Sequence, residues 1–467
     1  LTVEQAPVFT EAESSGARAE AGLRHGILSP IEVLAQSIGT IAPTASPTMT
    51  VPLVFALAGN GTWLAYLFAV LCVLLIALCI GYYARLSASC GSLYGYALSS
   101  RQPFVSSSAG LALVLAYVAT GASVTGGFIN YANVLAESAH LGHAPALVLA
   151  LVAVGVSVAV AYRDIQVSAQ LMLWIEVVSV ASIAIVVAVL LWRAGIHLHV
   201  PQATLAGVHA SGVRLGVVLA LFSFVGFESA TALGAEARDP LRTIPRAVLQ
   251  SAVLAGVFFI LCAYVEVMGF AQVHQNLGDS VSPLHVLSTL AGLPWLAPVI
   301  DIGALVSMFA CTLSCVTAAA RVLLRMSAQG LVHSSLGRTH ARHNTPAFGA
   351  VLSGVATFLP VAAMLLRGVS GVDIYGYMGS LAVYGFITVY AIVAAQLPFF
   401  LRAHQRLSPA SIALSALATL AMLAALAGTL YPVPAEPYNW LPYVYLGYLL
   451  LGLLSFRIFS GARTVPV

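Results

Sequence analysis

The sequence predicts an all-α integral membrane protein of twelve transmembrane helices: a five-plus-five inverted repeat with helices 1 and 6 broken, then helices 11 and 12. Three observations carry that expectation. Of 467 residues, 60% are hydrophobic and only 7% charged, against roughly a quarter charged in soluble domains. The apolar sequence suffices for about a dozen spans of roughly 20 residues each. Arginines gather on one side of those spans, and two spans five apart in the order are interrupted. A soluble globular enzyme and a disordered chain are both excluded.

Residues 1–28 are polar, with Glu4, Glu11, Glu13, Glu20, Arg18 and Arg24. They lack the charged start, short apolar core and cleavage site of a signal peptide and read as a cytosolic tail. Apolar runs follow at 29–58, 63–84, 104–137, 145–162 and 166–192, which form the first repeat, 29–192. Runs at 212–235, 247–271, 296–324, 346–366 and 374–400 form the second, inverted repeat, 212–400. Runs at 409–431 and 440–459 give the last two helices, 409–459, before a cytosolic tail at 460–467. With the N-terminus inside, sixteen arginines lie on the cytosolic side and three, Arg193, Arg214 and Arg367, outside. The positive-inside rule therefore places both termini in the cytosol, with the protein in the plasma (inner) membrane.

All nineteen basic residues are arginine. Chemistry that needs a lysine, such as a Schiff base or a P-loop, is ruled out, and a net charge of +3 gives no reason to expect a nucleic-acid partner. Cys72, Cys79, Cys90, Cys262, Cys311 and Cys315 fall in or beside apolar runs without metal-ligand spacing, so neither a disulfide framework nor a zinc site is expected. His197, His199, His274, His333, His340, His343 and His404 lie in loops and suggest no metal cluster.

The first interrupted span reads Ser37-Ile38-Gly39-Thr40-Ile41-Ala42-Pro43-Thr44-Ala45-Ser46-Pro47, within a run that would be roughly 45 Å long as a continuous helix. An interior proline removes a backbone hydrogen bond and costs about 3 kcal/mol, and unpaired backbone in hydrocarbon costs more. The sixth span reads Phe222-Ser223-Phe224-Val225-Gly226-Phe227-Glu228-Ser229-Ala230, with a glycine and a carboxylate at mid-run. Either break alone also reads as a kink with no ligand. Two at matching places favour an inverted repeat with a ligand between them. An unwound helix exposes N–H groups that suit a carboxylate and C=O groups that suit an ammonium, and the combination suits an amino acid.

The stretch Phe224-Val225-Gly226-Phe227-Glu228, then Glu236, Asp239-Pro240, Arg242 and Ile244-Pro245-Arg246-Ala247 resembles the F-x-G-F-E … E … N-P-x-R-x-I-P-R-A pattern of the amino acid, polyamine and organocation (APC) transporters. It runs from the sixth span into the following loop, with Asp239 where the family usually has Asn. Ala320-Arg321-Val322-Leu323 through Gly330-Leu331 is similar to the family at the cytosolic end of helix 8, and Gly91-Ser92-Leu93-Tyr94 is similar to its G-G-x-Y. The likeness covers essentially the whole chain. The first break departs from it, with Ala42-Pro43-Thr44-Ala45-Ser46-Pro47 where many members have Gly-Ser-Gly or Gly-Thr-Gly.

The resemblance implies a substrate carboxylate near the backbone of Thr44, Ala45 and Ser46, and an amino group near the carbonyls of Ile41, Phe222 and Val225. Ala42 and Gly226 complete the two breaks. Phe222 matches an aromatic gate of related antiporters, against the alternative of a lipid-facing or core aromatic. Tyr117, Thr120 and Gly121 on helix 3 would line the same pocket, and so would Cys311, Ser314 or Cys315 on helix 8; each also reads as packing. Helices 1, 2, 6 and 7 would rock against helices 3, 4, 8 and 9.

Two carboxylates lie at depth, where a charge costs about 2.5–3.5 kcal/mol on insertion scales. Glu176 lies ten residues into the fifth span, and the resemblance implies that it stands in the neighbourhood where proton-coupled relatives carry a lysine in place of sodium. It reads either as a group that exchanges a proton during turnover or as a permanently protonated acid bonded to a helix-8 hydroxyl. Glu228 reads as a prop that accepts N–H groups of the unwound backbone or as a group that coordinates a water between spans, and it stands with Glu176 as a coupling candidate. Ser314 and Thr317, with carbonyls of helix 1, are the candidate sodium site. Glu266 and Asp301, near the outer ends of helices 7 and 8, are expected to reach interfacial water as vestibule residues.

The function expected is secondary transport of a small amino acid by alternating access, coupled to protons or alternatively to sodium, with no organic cofactor and no metal. An amine, polyamine or amino acid/amine antiporter is the runner-up. An amino acid sensor is the alternative of another class, for which the short tails leave no room for an output domain. An intramembrane enzyme lacks a His paired with Ser, Asp or Glu at depth.

Overall fold

The computed structural model describes residues 26, 28–87, 92–98, 102–163, 167–195, 199–234, 237–337, 340, 345–431 and 433–460. Most of the 1–28 and 460–467 tails, Cys90, Gly91, Glu236, His197, His343, Arg101, Arg338 and Arg342 lie outside the described residues. Helices dominate, and among the described residues the one β-type pairing is an isolated bridge between Leu28 and Ala237.

In chain order the helices are α1 (Pro30–Ile41), α2 (Val51–Ala58), α3 (Thr62–Ala84), α4 (Ser92–Ala97), α5 (Pro103–Ser138), α6 (Ala146–Arg163), α7 (Val167–Ala194) and α8 (Val200–Ala203). There follow α9 (Ala210–Phe222), α10 (Pro240–Val273), α11 (Pro283–Leu290), α12 (Ala297–Ala328), α13 (Ala347–Leu366), α14 (Gly371–Ala403), α15 (Pro409–Leu430) and α16 (Leu441–Ser460). Nine helical stretches among the described residues are long and apolar enough to cross a membrane, the first being Pro30–Ala84, which holds α1 to α3. Trp174, Phe399 and Leu420 stand exposed on the outside of such stretches, the arrangement of a protein whose surroundings are hydrocarbon.

Local chemistry explains where the helices start and stop. α1 opens on a capping box, in which the Ser29 hydroxyl accepts the Glu32 N–H and the Glu32 carboxylate accepts the Ser29 N–H at 2.7 Å. It ends at Ala42, whose φ of 51° turns the chain left-handed ahead of Pro43. A π-helical turn, Ser46–Thr50, then leads into α2. α9 stops at Phe222, and the chain resumes as a short 3-10 helix at Ser229–Leu233. Both interrupted spans therefore break where the sequence places the break.

The loop expected after the sixth span is shorter than the motif suggests. Asp239 is the N-cap of α10 and Pro240 its first residue, so Arg242 and Ile244-Pro245-Arg246-Ala247 lie on helix. Proline at the first helical position lacks only an N–H that would have no partner there. Asp239 has φ 48°, a left-handed conformation that Asn and Asp tolerate because the short side chain can hydrogen-bond locally; this accounts for either residue at the position. The two remaining motifs meet, since the Tyr94 hydroxyl on α4 donates to Gln329 Oε1 at 2.5 Å just past the end of α12.

The helices pack as two groups. α1, α2, α3, α9 and α10 contact one another, and α5 packs chiefly on α12 and α14 with α6, α7 and α13 around them. The broken segments lie where the groups meet.

Candidate functional site

The first break is tied to the second group through a carboxyl. Thr44 N–H donates to Glu176 Oε1 at 2.9 Å, and its hydroxyl donates to Ser179 Oγ at 3.1 Å, both partners on α7. Ser307 of α12 is near the same carboxyl, but its Oγ is buried without a hydrogen-bond partner among the described residues. The helix-8 hydroxyl next to Glu176 is thus Ser307, a residue the sequence did not single out for that role. Thr44 is fully buried and its amide is committed to a carboxylate that belongs to the protein.

The second break is held by hydroxyls. The Phe227 carbonyl, freed by the unwinding, accepts from Ser37 Oγ at 3.0 Å and Ser251 Oγ at 3.2 Å, and Ser37 Oγ in turn accepts the Ala230 N–H at 3.1 Å. Ser37 is on α1, so one side chain fastens the two broken spans together. Gly226 sits against α1 with φ +99°; a Cβ there would fall 2.6 Å from Thr40 Cγ2 and 2.9 Å from the Thr40 backbone. No other residue type combines that conformation with that approach. Glu228 accepts from the Tyr390 hydroxyl of α14 at 3.3 Å, while its Oε1 is buried without a hydrogen-bond partner among the described residues.

Between the breaks lies a small, partly open cavity with a free volume of about 20 Å³, which has room for little more than one water molecule in this conformation. Of the residues singled out from sequence, Ile41, Ala42, Ala45, Ser46, Thr120, Phe222 and Val225 line it. Thr44, Tyr117, Gly226 and Cys315 do not. Tyr117 stacks edge-on against Phe386, and Cys315 faces the Gly121 contact between α5 and α12. Phe222 meets Tyr375 edge-on at 5.6 Å, which disposes of the lipid-facing alternative. Ser314 and Thr317 do not line this cavity, and the Thr317 hydroxyl donates to Leu313 O of its own helix at 2.9 Å.

Sequence reasoning missed Thr50, Val124, Ser223 and Tyr375, and held Cys311 as one of three options. Thr50 and Tyr375 pair hydroxyl to hydroxyl at 2.8 Å, and Ser46 and Ser223 pair with each other and with the Tyr66 hydroxyl. The one available signal was a run of small hydroxyls around each break, Ser37, Thr44, Ser46, Thr48 and Thr50 in the first and Ser223 in the second. No charged side chain lines the cavity among the described residues. Its polar groups are hydroxyls, one thiol and the backbone of two helix ends, which can orient a solute with one carboxylate and one ammonium.

Glu266 and Asp301 require a correction. The sequence places them near helix ends in reach of water, but both are buried, at 0% and 1% exposure. The reason lies in the connection between α10 and α12: α11 folds back over that end of the molecule and packs on both helices.

The model for the amino acid permease family matches residues 32–459. Over 172 residues the chain is 30% identical to an uncharacterized transporter of Mycobacterium tuberculosis, a match covering 36% of this chain and 38% of that relative's length. It is 27% identical over 344 residues to a branched-chain amino acid permease of Lactococcus lactis, covering 69% of this chain and 72% of the relative. It is 24% identical over 342 residues to a low-affinity putrescine importer of Escherichia coli, covering 70% and 71%. The family and these relatives are permeases and transporters rather than enzymes.

Proposed function

This multi-pass membrane chain belongs to the amino acid permease family, and from that premise we propose that it is a secondary transporter carrying a small neutral amino acid by alternating access. The observation that carries the reading is the cavity between two broken helices, lined by hydroxyls and apolar groups and by no charged side chain. The substrate carboxylate sits at the Ser46 side of the first break. Its ammonium faces the carbonyls of Ile41, Phe222 and Val225, and Phe222 closes over it against Tyr375. Twelve spans form from α1 with α2, α3, α5, α6, α7, α9 with the following 3-10 turn, α10 and α12 to α16. The two breaks are the first elements of two inverted five-helix repeats, and both termini face the cytosol of the plasma membrane. The group built on α1, α3, α9 and α10 rocks against that built on α5, α6, α12 and α13.

Glu176 is the coupling group. Its carboxyl bridges the two packing groups through the Thr44 amide, so gaining or losing a proton alters the contact that must break when the groups rock. Ionised, it is a strong acceptor that holds the break against α7; neutral, it holds it less firmly. Coupling to sodium is the alternative: the Thr317 hydroxyl donates to the Leu313 carbonyl of its own helix, which leaves its oxygen lone pairs for a cation. Glu228, held by Tyr390, props the second break.

A diamine such as putrescine is the second reading, favoured by the Escherichia coli relative. A dication needs a carboxylate in the cavity wall, and Glu176 and Glu228 lie behind the lining. Counterflow in proteoliposomes separates the readings: labelled alanine or leucine exchanges and putrescine does not. Exchange of putrescine alone overturns the neutral reading, and binding without exchange would mark a sensor.

A further inference from the structure

A second hollow lies away from the central cavity, on the seam between α3 and α10. Its free volume is about 120 Å³, close to the roughly 150 Å³ of a protein cavity that accepts benzene. Two residues open it. Gly81 of α3 presents no side chain to α10, and a Cβ built there would meet only Pro245 Cβ, at 4.0 Å. Pro245 faces it from α10 with a compact ring, and Leu78 and Leu249 extend the apolar walls. Leu78 is 43% exposed, so the hollow opens on the side of the molecule that meets hydrocarbon.

The hollow changes character along α3. Ala77 lines its deep end, and Tyr82 and Arg85 line the other; Arg85 is the C-cap of α3, about 12 Å further along the helix than Ala77. Arg85 is exposed and forms no ion pair among the described residues. At the facing start of α10, Asp239 is taken by Arg242 at 3.7 Å, and the exposed Arg246 beside Pro245 also lacks an acid partner among the described residues. A lone surface arginine is satisfied by water and implies no ligand. Here the unpaired guanidinium stands at the end of an apolar hollow in a lipid-facing seam, which matches a molecule with an anionic head and a hydrocarbon tail. We propose that the hollow between α3 and α10 binds an anionic phospholipid, its phosphate on the Arg85 guanidinium and a stretch of one acyl chain beside Gly81. The half-buried Tyr82 brings a hydroxyl to the same end. Two residues beyond Leu249, Ser251 Oγ donates to the Phe227 carbonyl of the second break at 3.2 Å. A lipid seated against Pro245 and Leu249 therefore steadies the helix that props that break.

Native mass spectrometry of the full-length chain in detergent counts bound lipid directly and uses no substrate, so its outcome is independent of the transport reading. Dioleoylphosphatidylglycerol should form a one-lipid adduct that neither dioleoylphosphatidylcholine nor inorganic phosphate, each in excess, displaces. Arg85→Gln should weaken that adduct about fivefold, which converts to the about 1 kcal/mol that one arginine contributes at an anionic lipid surface. Arg402→Gln, an exposed arginine of α14 outside the hollow, should leave it unchanged. Gly81→Leu fills the hollow with a good helix former and should abolish the adduct without lowering the melting temperature of the lipid-free protein. If that variant does not fold, Arg85→Gln and the two competitions decide. Displacement by inorganic phosphate would assign the site to a free anion, and displacement by the phosphatidylcholine to bulk lipid. Either of these, an adduct indifferent to Arg85→Gln or to a folded Gly81→Leu, or an equal loss in Arg402→Gln overturns the proposal.

Discussion

Replacing Gly226 by alanine attacks the closest approach between the two broken spans. The new Cβ would fall 2.6 Å from Thr40 Cγ2 and 2.9 Å from both the carbonyl carbon and oxygen of Thr40, at a φ of +99°. The conformation alone costs about 1–3 kcal/mol for a residue with a Cβ, and forcing extra volume into a packed contact adds about 1–3 kcal/mol. The sum, about 2–6 kcal/mol, is a large share of what holds a folded domain together. Thermal unfolding in detergent, followed by tryptophan fluorescence, should show a clear loss of melting temperature, and counterflow should fall with it. Thr40→Ala in the same chain removes the Cγ2 clash and leaves the two backbone contacts, so it restores part of the loss and not all of it. A Gly226→Ala protein that melts and exchanges like wild type would refute the close packing of α1 on the second break.

Glu176→Gln retains an acceptor for the Thr44 N–H and removes the titrating group, so exchange should survive while its pH dependence flattens; an unaltered pH profile counts against the coupling role. Glu176→Ala instead leaves the buried amide unsatisfied, at about 1–3 kcal/mol, and should lower the melting temperature where Gln does not. At the start of α10, Asp239→Ala meets a left-handed backbone of φ 48° and should cost about 1–2 kcal/mol, whereas Asp239→Asn or Asp239→Gly should be close to neutral; equal melting of all three would remove the conformational explanation.

The breaks were legible because proline and glycine carry their meaning locally. Pro43 cannot continue α1, Pro47 sits in the first turn of the resumed helix, where a missing N–H costs little, and Gly226 takes a φ that other residues avoid. The near wall of the cavity followed, since Ile41, Ala42, Ala45, Ser46, Phe222 and Val225 are the breaks themselves. Of the far wall only Thr120, and Cys311 as one of three options, followed. Thr50 and Tyr375 are 325 residues apart, and Tyr375 lies on α14, a helix buried around most of its circumference, so hydrophobic periodicity marks no inward face on it. Glu266 and Asp301 were misplaced for a related reason. Distance along a helix gives depth, but burial there depends on α11, an eight-residue helix whose return over the bundle no local pattern announces. Glu176 was recognised as a buried acid from its neighbours in sequence, while its partner, the Thr44 amide, became visible only in three dimensions.

Cys311 offers the most direct test of the claim that the space between the broken helices is where substrate sits. It lines the cavity, whereas Cys79 and Cys262 are buried elsewhere and act as internal references. Alkylation by a small maleimide, read peptide by peptide in the reconstituted wild-type chain, should modify Cys311 faster than either reference. The neutral amino acid that exchanges in counterflow should slow that modification, and putrescine should not. Protection of Cys311 by putrescine, or its indifference to every amino acid the protein exchanges, would contradict the account.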